Sequence, residues 1–312
     1  MSRPAVGFFC KSYSLDFNHL EVMLRSFAAH NRDSLPLTLS LPSSDVAAFE
    51  NRFGASPANV RLVADEDYCG FDLSRVPGWY GQQLCKLTSW RATGLDHHVV
   101  LDSDSYFIGD VAADDMIPPP GKKFILWGSQ LRTALELRGS ESLLAYIKGE
   151  LVVDAAMLPP ERRAPAPDFA RLHQIKLLSE DQINLSERSG EIFNFFGAQK
   201  WYFFQPGQIF AKELLVDFEN YMKSGGLDLK DVINIAPWEY NWYGEYVAAF
   251  HSETTDFRVS PVFHVATTAS VEFAAKQGAT EAALRRRFKW VQMASRHLEA
   301  LRLDGGGAPW SS

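Results

Sequence analysis

Apolar and polar positions along the chain fall into short runs of two kinds. In the first kind the apolar residues are continuous or alternate: "AVGFFC" (5–10), "LPLTLSL" (35–41), "NVRLVA" (59–64), "HVVL" (98–101) and "KKFILWG" (122–128). Runs of this length, bounded by polar or Pro/Gly-rich stretches, predict buried strands. The second kind has helical spacing. In "NHLEVMLRSFAAH", Leu20, Met23, Leu24, Phe27 and Ala28 share one face behind the capping candidates Asp16 and Asn18, and "DVAAFENRF" and residues 80–93 read the same way. Strands and helices alternate in sequence, which predicts an α/β fold with a mainly parallel sheet flanked by helices on both faces.

The pattern loosens over 129–200, where "LPPERRAPAPDF" (158–169) is rich in proline; this stretch reads as an insertion. Order returns with "WYFFQPGQIFAKELLVDFENYM" (201–222), a strand running into an amphipathic helix. The segment "PWEYNWYGEYVAAF" is a second helix with an aromatic start, "FRVSPVFHV" (257–265) is a late strand, and a basic helix is expected around 281–301. The expected organisation is one domain: a ligand-binding half (1–128), an insertion (129–200), a second half (201–268), and a C-terminal helix and tail (269–312).

Composition narrows the function classes. The 312 residues are 46% hydrophobic and carry a formal charge of -7, so a sizeable core is expected and generic nucleic-acid binding, which needs a basic surface, is not. Cys10, Cys69 and Cys85 are widely spaced with no CxxC pair, which indicates reduced apolar cysteines rather than a disulfide framework or zinc knuckle. No stretch approaches a secretory core or a membrane span, so a cytoplasmic protein is expected.

Against this background "VVLDSDSYFI" (99–108) stands out, because Asp102 and Asp104, separated by Ser103, interrupt a strand-like run. In extended chain, residues i and i+2 point to one side, and the C-terminal end of a parallel strand opens into the ligand crevice. Two hard oxygen anions there suit Mg²⁺ or Mn²⁺, which share their coordination with substrate phosphates. A second acidic triplet, "DED" (65–67), lacks the apolar flanks and reads as a solvated turn. A calcium loop is ruled out by Tyr106 and Phe107, which stand where such a loop needs a small turn.

Three segments, "GWYGQQLCKL" (78–87), "VVLDSDSYFI" (99–108) and "WEYNWYGEYV" (238–247), occur in the order and rough spacing of a bacterial family described as glycosyltransferase-like and otherwise of unknown function. The chain thus resembles, over about 70–250, nucleotide-sugar-dependent glycosyltransferases of the GT-A fold. That resemblance implies a Rossmann-like GT-A sheet, Mn²⁺ or Mg²⁺ on Asp102 and Asp104, and a UDP- or GDP-type sugar donor. The acceptor would be a glycan, a glycolipid or another lipid-linked molecule.

The resemblance also implies a base site just after the first strand, where Tyr13 could stack, Asp16 hydrogen-bond and Lys11 neutralise phosphate. Gln82, Gln83 and Lys86 would border the donor, with Ser103 beside it. His264 would be the third metal ligand, with His251 as competitor, and Asp181 and Gln182 weakly match a donor or acceptor motif. Glu239, at a helix start after Pro237, is the candidate general base of an inverting enzyme and Glu245 its backup; a retaining enzyme would draw on Gln208 instead. Arg285, Arg286, Arg287 and Lys289, beside Phe288 and Trp290, would allow peripheral contact with an anionic membrane. Two alternatives stay open: a sugar-1-phosphate nucleotidyltransferase, disfavoured by the absence of glycine in "CKSYSLDF", and a non-catalytic glycan- or partner-binding domain.

Overall fold

The computed structural model describes residues 4–54, 59–128, 165–178, 182–197, 203, 206–265 and 281–293. Its centre is a five-stranded sheet in the order β3 (Val60–Ala64), β2 (Leu37–Leu41), β1 (Val6–Lys11), β4 (His97–Asp102), β7 (Ile209–Ala211). The first four strands run parallel; β7 is antiparallel to β4. Expectation and structure agree on an α/β fold with a mainly parallel sheet.

Both faces of the sheet are covered, which explains the near-continuous apolar runs. On one face Phe8, Cys10, Leu37, Leu39, Leu41, Val99 and Leu101 meet Leu20, Met23 and Phe27 of helix Phe17–His30 and Phe49 of helix Ser43–Phe53. On the other, Phe9, Val100 and Phe210 pack with helices Gly78–Leu87, Lys212–Ser224 and Glu239–Phe250. Gly7 lets β1 run close to the chain entering β2; a Cβ there would sit 2.6 Å from the Pro36 carbonyl oxygen.

Several expectations are corrected. The helix over 80–93 is two helices, Gly78–Leu87 and Ser89–Thr93. They part at Thr88, whose hydroxyl donates back to the Leu84 carbonyl at 2.8 Å. The strand over 257–265 divides at Ser260–Pro261 into β8 (Thr255–Val259) and β9 (Val262–Val265). β8 pairs with β6 (Phe124–Gly128), while β9 pairs with β10 (Trp290–Met293) in a small sheet completed by β5 (Ser105–Phe107). The basic helix shrinks, among the described residues, to Glu281–Leu284 followed by a turn and β10. Phe288 and Trp290 are buried, and Arg285 and Lys289 pair with Glu281 and Asp115.

Within the expected insertion, the described residues form helices Phe169–Lys176 and Leu185–Phe196, whose Leu172, Ile175, Ile192 and Phe196 belong to the main core. Among the described residues, no helix is long and apolar enough to cross a membrane.

Candidate functional site

β1 has β2 and then β3 on one side and β4 on the other, so the strand order reverses beside β1 and a crevice opens at the C-terminal ends of β1 and β4. Lys11 and Asp102, the last residues of these two strands, are register partners there. A tight turn at Ser103–Asp104 then carries the chain into β5. The two carboxylates converge even though the strand does not run through them. Asp102 Oδ2 and Asp104 Oδ1 accept from the same atom, Gln292 Nε2, at 2.8 and 2.9 Å. The amide of Gln292 is oriented from behind by Ser105, whose hydroxyl donates to Gln292 Oε1 at 2.9 Å. In the small sheet Ser105, Gln292 and His264 lie in one register row.

Behind Asp102 stands a buried ammonium. Lys86 Nζ lies 2.6 Å from Asp102 Oδ1, 2.9 Å from Glu239 Oε1 and 5.0 Å from the centre of the Tyr240 ring. Burial works against this charge, but Asp102 and Glu239 outweigh it and hold the Lys86 pKa well above the ordinary lysine value. Acids outnumber cations here. Burial, then Asp102 and Asp16, push the Asp104 carboxyl well above the usual range. Burial also raises Asp16, against a hydrogen bond from Ser103 Oγ at 3.1 Å. Glu239 is raised by burial and held back by Lys86. His264 is pushed down to about 4 by burial, with Asp102 opposing, so its imidazole is neutral.

Next to this cluster a cleft of about 660 Å³ runs along the ends of β1, β2 and β3. Its apolar wall is Pro42, Leu73, Val76 and Trp79; Tyr13, Asp45, Glu66 and Gln82 supply polar groups. Lys11 contributes to the lining, with its Nζ held 2.9 Å from Asp65 Oδ2 in a buried pair. Ser40 also donates to Asp65 and lies 2.7 Å from the Tyr68 hydroxyl. Asp65, expected in a solvated turn, is therefore a buried partner of a cleft residue.

The structure brings Asp16, Lys86, Asp102, Ser103, Asp104 and Glu239 together, and lines the cleft with Lys11, Tyr13 and Gln82. It corrects other expectations. Gln208 is 1% exposed and its amide is spent on β6: Oε1 accepts from Trp127 N and Nε2 donates to Trp127 O, both at 2.8 Å. Gln83 is buried and donates to the Trp79 carbonyl of its own helix. Glu239 is 2% exposed with its Oε1 bound to Lys86 Nζ at 2.9 Å, and Glu245 is wholly buried. His251 pairs with Asp217 at 3.0 Å. Gln182 is exposed; Asp181 lies outside the described residues. Asp102, Asp104 and His264 do not form a ready three-ligand set, since among the described residues no group of three or more His, Cys, Asp or Glu side chains is placed to hold a metal.

Sequence reasoning missed Gln292, Tyr240, Trp79 and Asp65. For Gln292 the signal was the short apolar run "WVQM", masked by the arginines before it.

The model of a family of unknown function, DUF6492, matches residues 9–146. That stretch includes Lys86 and both carboxylates of the turn and ends before Glu239 and Gln292. No curated protein matches the chain.

Proposed function

We propose that this protein is a GT-A-type glycosyltransferase that moves a sugar from a nucleotide diphosphate-sugar to an acceptor hydroxyl, with Mn²⁺ or Mg²⁺ as cofactor. The observation that carries the reading is the convergence of Asp102 and Asp104 on one atom at a strand-order switch point beside a cleft of nucleotide size. The fit to a divalent cation is chemical: two carboxylate oxygens converge on a single hydrogen-bond donor, in a cluster whose acids outnumber its cations. Asp102 and Asp104 would hold the ion, and donor phosphates would complete its coordination. Bound there, the ion supplies positive charge to the diphosphate leaving group.

The chain's own residues do the rest. Lys86, fixed by Glu239, adds a permanent positive charge behind Asp102 and needs no reorganisation as charge develops on the leaving group. Tyr13 and Trp79 offer ring faces to a base or sugar in the cleft. The apolar wall excludes water from the donor, and Gln82 and Asp45 accept or donate at its rim. Glu239 accepts from Lys86 through Oε1, which ties the expected base to the charge behind Asp102.

Thermal unfolding with UDP- and GDP-sugars, with and without Mn²⁺, tests the reading. Stabilisation that needs nucleotide and metal together, and disappears in Asp102→Asn/Asp104→Asn, is the expected result. Equal stabilisation without metal, or none with any nucleotide, overturns it.

A further inference from the structure

The third metal ligand expected from the resemblance was His264, but the side chain that touches both carboxylates of the turn is Gln292. The turn carrying Asp102 and Asp104 runs into β5; β10, with Gln292, is the strand beside β5, and β9, with His264, lies one strand further away. Gln292 Nε2 donates to Asp102 Oδ2 at 2.8 Å and to Asp104 Oδ1 at 2.9 Å, so the two hydrogens of its NH₂ group serve one carboxylate each. Its Oε1 accepts from the Ser105 hydroxyl at 2.9 Å.

This amide has little freedom to leave. Gln292 is 3% exposed, Trp290 and Val291 before it are buried, and their strand is paired with β5 on one side and β9 on the other. Rotation of the terminal amide remains open, because that torsion is broad and roughly two-fold. A half-turn exchanges Oε1 and Nε2 at almost constant shape, and the Ser105 hydroxyl can accept from Nε2 as it now donates to Oε1. Local charge decides which end faces inward. Opposite two carboxylates it is the NH₂ group. Opposite a divalent cation held by the same carboxylates an N–H would meet like charge, whereas the amide oxygen is a hard donor of the kind Mg²⁺ and Mn²⁺ take. The spacing suits this as well: neighbouring oxygens of an octahedral ion bound at about 2.0–2.1 Å are about 2.9 Å apart. The amide end of Gln292 already stands at that distance from each carboxylate.

We propose that Gln292 is the third side-chain ligand of the divalent cation, turning its amide so that Oε1 replaces Nε2 opposite Asp102 and Asp104. This inference rests on the reading of the crevice as a cation site and adds to it a ligand from the far end of the chain. Gln292 then has two states: as a double donor it holds the carboxylates together without metal, and as an oxygen ligand it shares the cation with them. Ser105 serves both, donating to Oε1 in the first and accepting from Nε2 in the second.

Mn²⁺ titration at pH 8, followed by the electron paramagnetic resonance of the free ion, alone and with UDP or GDP present, tests it on the native chain, Gln292→Leu, Gln292→Glu and Asp102→Asn/Asp104→Asn. Affinity should fall about tenfold or more in Gln292→Leu. It should rise above native in Gln292→Glu, whose carboxylate can ligate but cannot donate. A side chain that only orients the acids predicts Gln292→Glu to be as harmful as Gln292→Leu, and one that only fills the space between them predicts tighter binding in Gln292→Leu. Either result overturns the inference and leaves the cation site standing. No Mn²⁺ binding to the native chain under any of these conditions, or binding that Asp102→Asn/Asp104→Asn leaves intact, overturns the cation site and the inference with it. Circular dichroism checks the folding of the variants, and the native chain supplies a readout that needs none of them. With glutamine ¹³C-labelled at the side-chain carbonyl, electron–nuclear double resonance of bound Mn²⁺ should show a ¹³C coupling through the ligated oxygen; its absence overturns the inference.

Discussion

Replacing Lys86 by methionine keeps an unbranched side chain one atom shorter and removes the charge between Asp102 and Glu239. Lys86 Nζ is 2.6 Å from one carboxylate oxygen and 2.9 Å from the other, so those oxygens are at most about 5.5 Å apart. With an effective dielectric of about 20, two bare carboxylates at that distance repel by about 3 kcal/mol. The side chains of Lys86 and Glu239 are 4% and 3% exposed, so solvent offers little relief, and breaking a buried pair from one side costs about 3–5 kcal/mol. Lys86→Met should therefore lose about 3–5 kcal/mol at pH 8, a large part of a typical domain's stability. The loss should shrink toward acid. Burial already raises the Glu239 pKa while Lys86 lowers it, so the variant's folded pKa lies higher still. A carboxyl whose folded pKa exceeds its unfolded value binds more protons when folded, and stability falls as pH rises from about 4.5 through the folded pKa. Urea denaturation at pH 5 and pH 8 measures both effects, and Lys86→Met/Glu239→Leu should recover much of the pH 8 loss. A loss below about 1 kcal/mol at pH 8, or a double variant no better than the single, would refute the account.

Asp104→Asn should gain stability relative to the native chain as pH rises from 4 to 8 in the presence of chelator. The reason is that the raised Asp104 pKa contributes stability at low pH that is lost as its carboxyl ionises; a flat difference between the two would count against it. Mn²⁺ binding at mildly acidic pH should release a proton from the native chain and less from Asp104→Asn, seen by calorimetry in buffers of different ionisation enthalpy. Gln292→Leu removes two hydrogen bonds to carboxylates and leaves the Ser105 hydroxyl without its acceptor. About 1.5–3 kcal/mol should be lost in chelator, and an unchanged urea midpoint would contradict the bridge. Trp79 is 41% exposed on the cleft wall, so Trp79→Ala should weaken nucleotide binding by about 1–3 kcal/mol with little change in folding stability.

Strands β1, β2 and β4 of the central sheet were legible because they are buried on both faces and so read as apolar runs without needing their neighbours. Segments whose conformation depends on distant partners were not. "FKWVQM" follows three arginines and a helical spacing from Leu284 to Phe288, which mask its short apolar run; β9 and β5 make it a strand. Thr88 is compatible with a helix by propensity, yet its hydroxyl competes for the backbone and the helix divides there. Pro261 was a signal passed over: it lacks an N–H, and the strand expected to run through it breaks there, where β8 and β9 leave for different sheets.

The site was legible as residue types and illegible as charge balance. Asp102, Asp104 and Glu239 could be chosen from their flanks, but Lys86 and Glu239 lie 153 residues apart, and only the structure shows that they are paired. Asp65 gave the opposite error. Its polar neighbours suggested solvent, whereas Lys11 reaches it from β1 and buries the pair. Both errors have one origin: local sequence reports whether a carboxylate can be tolerated, and tertiary contact decides what neutralises it. In this crevice Lys86 answers for Asp102 and Glu239, while Asp104 and Asp16 receive hydrogen bonds from Gln292 and Ser103 that do not offset burial and the neighbouring carboxylates. An acid in that position must bind a proton or a cation. The turn after β4 puts Asp104 where either can reach it, and that is the physical reason to seek metal-dependent chemistry at this edge of the sheet.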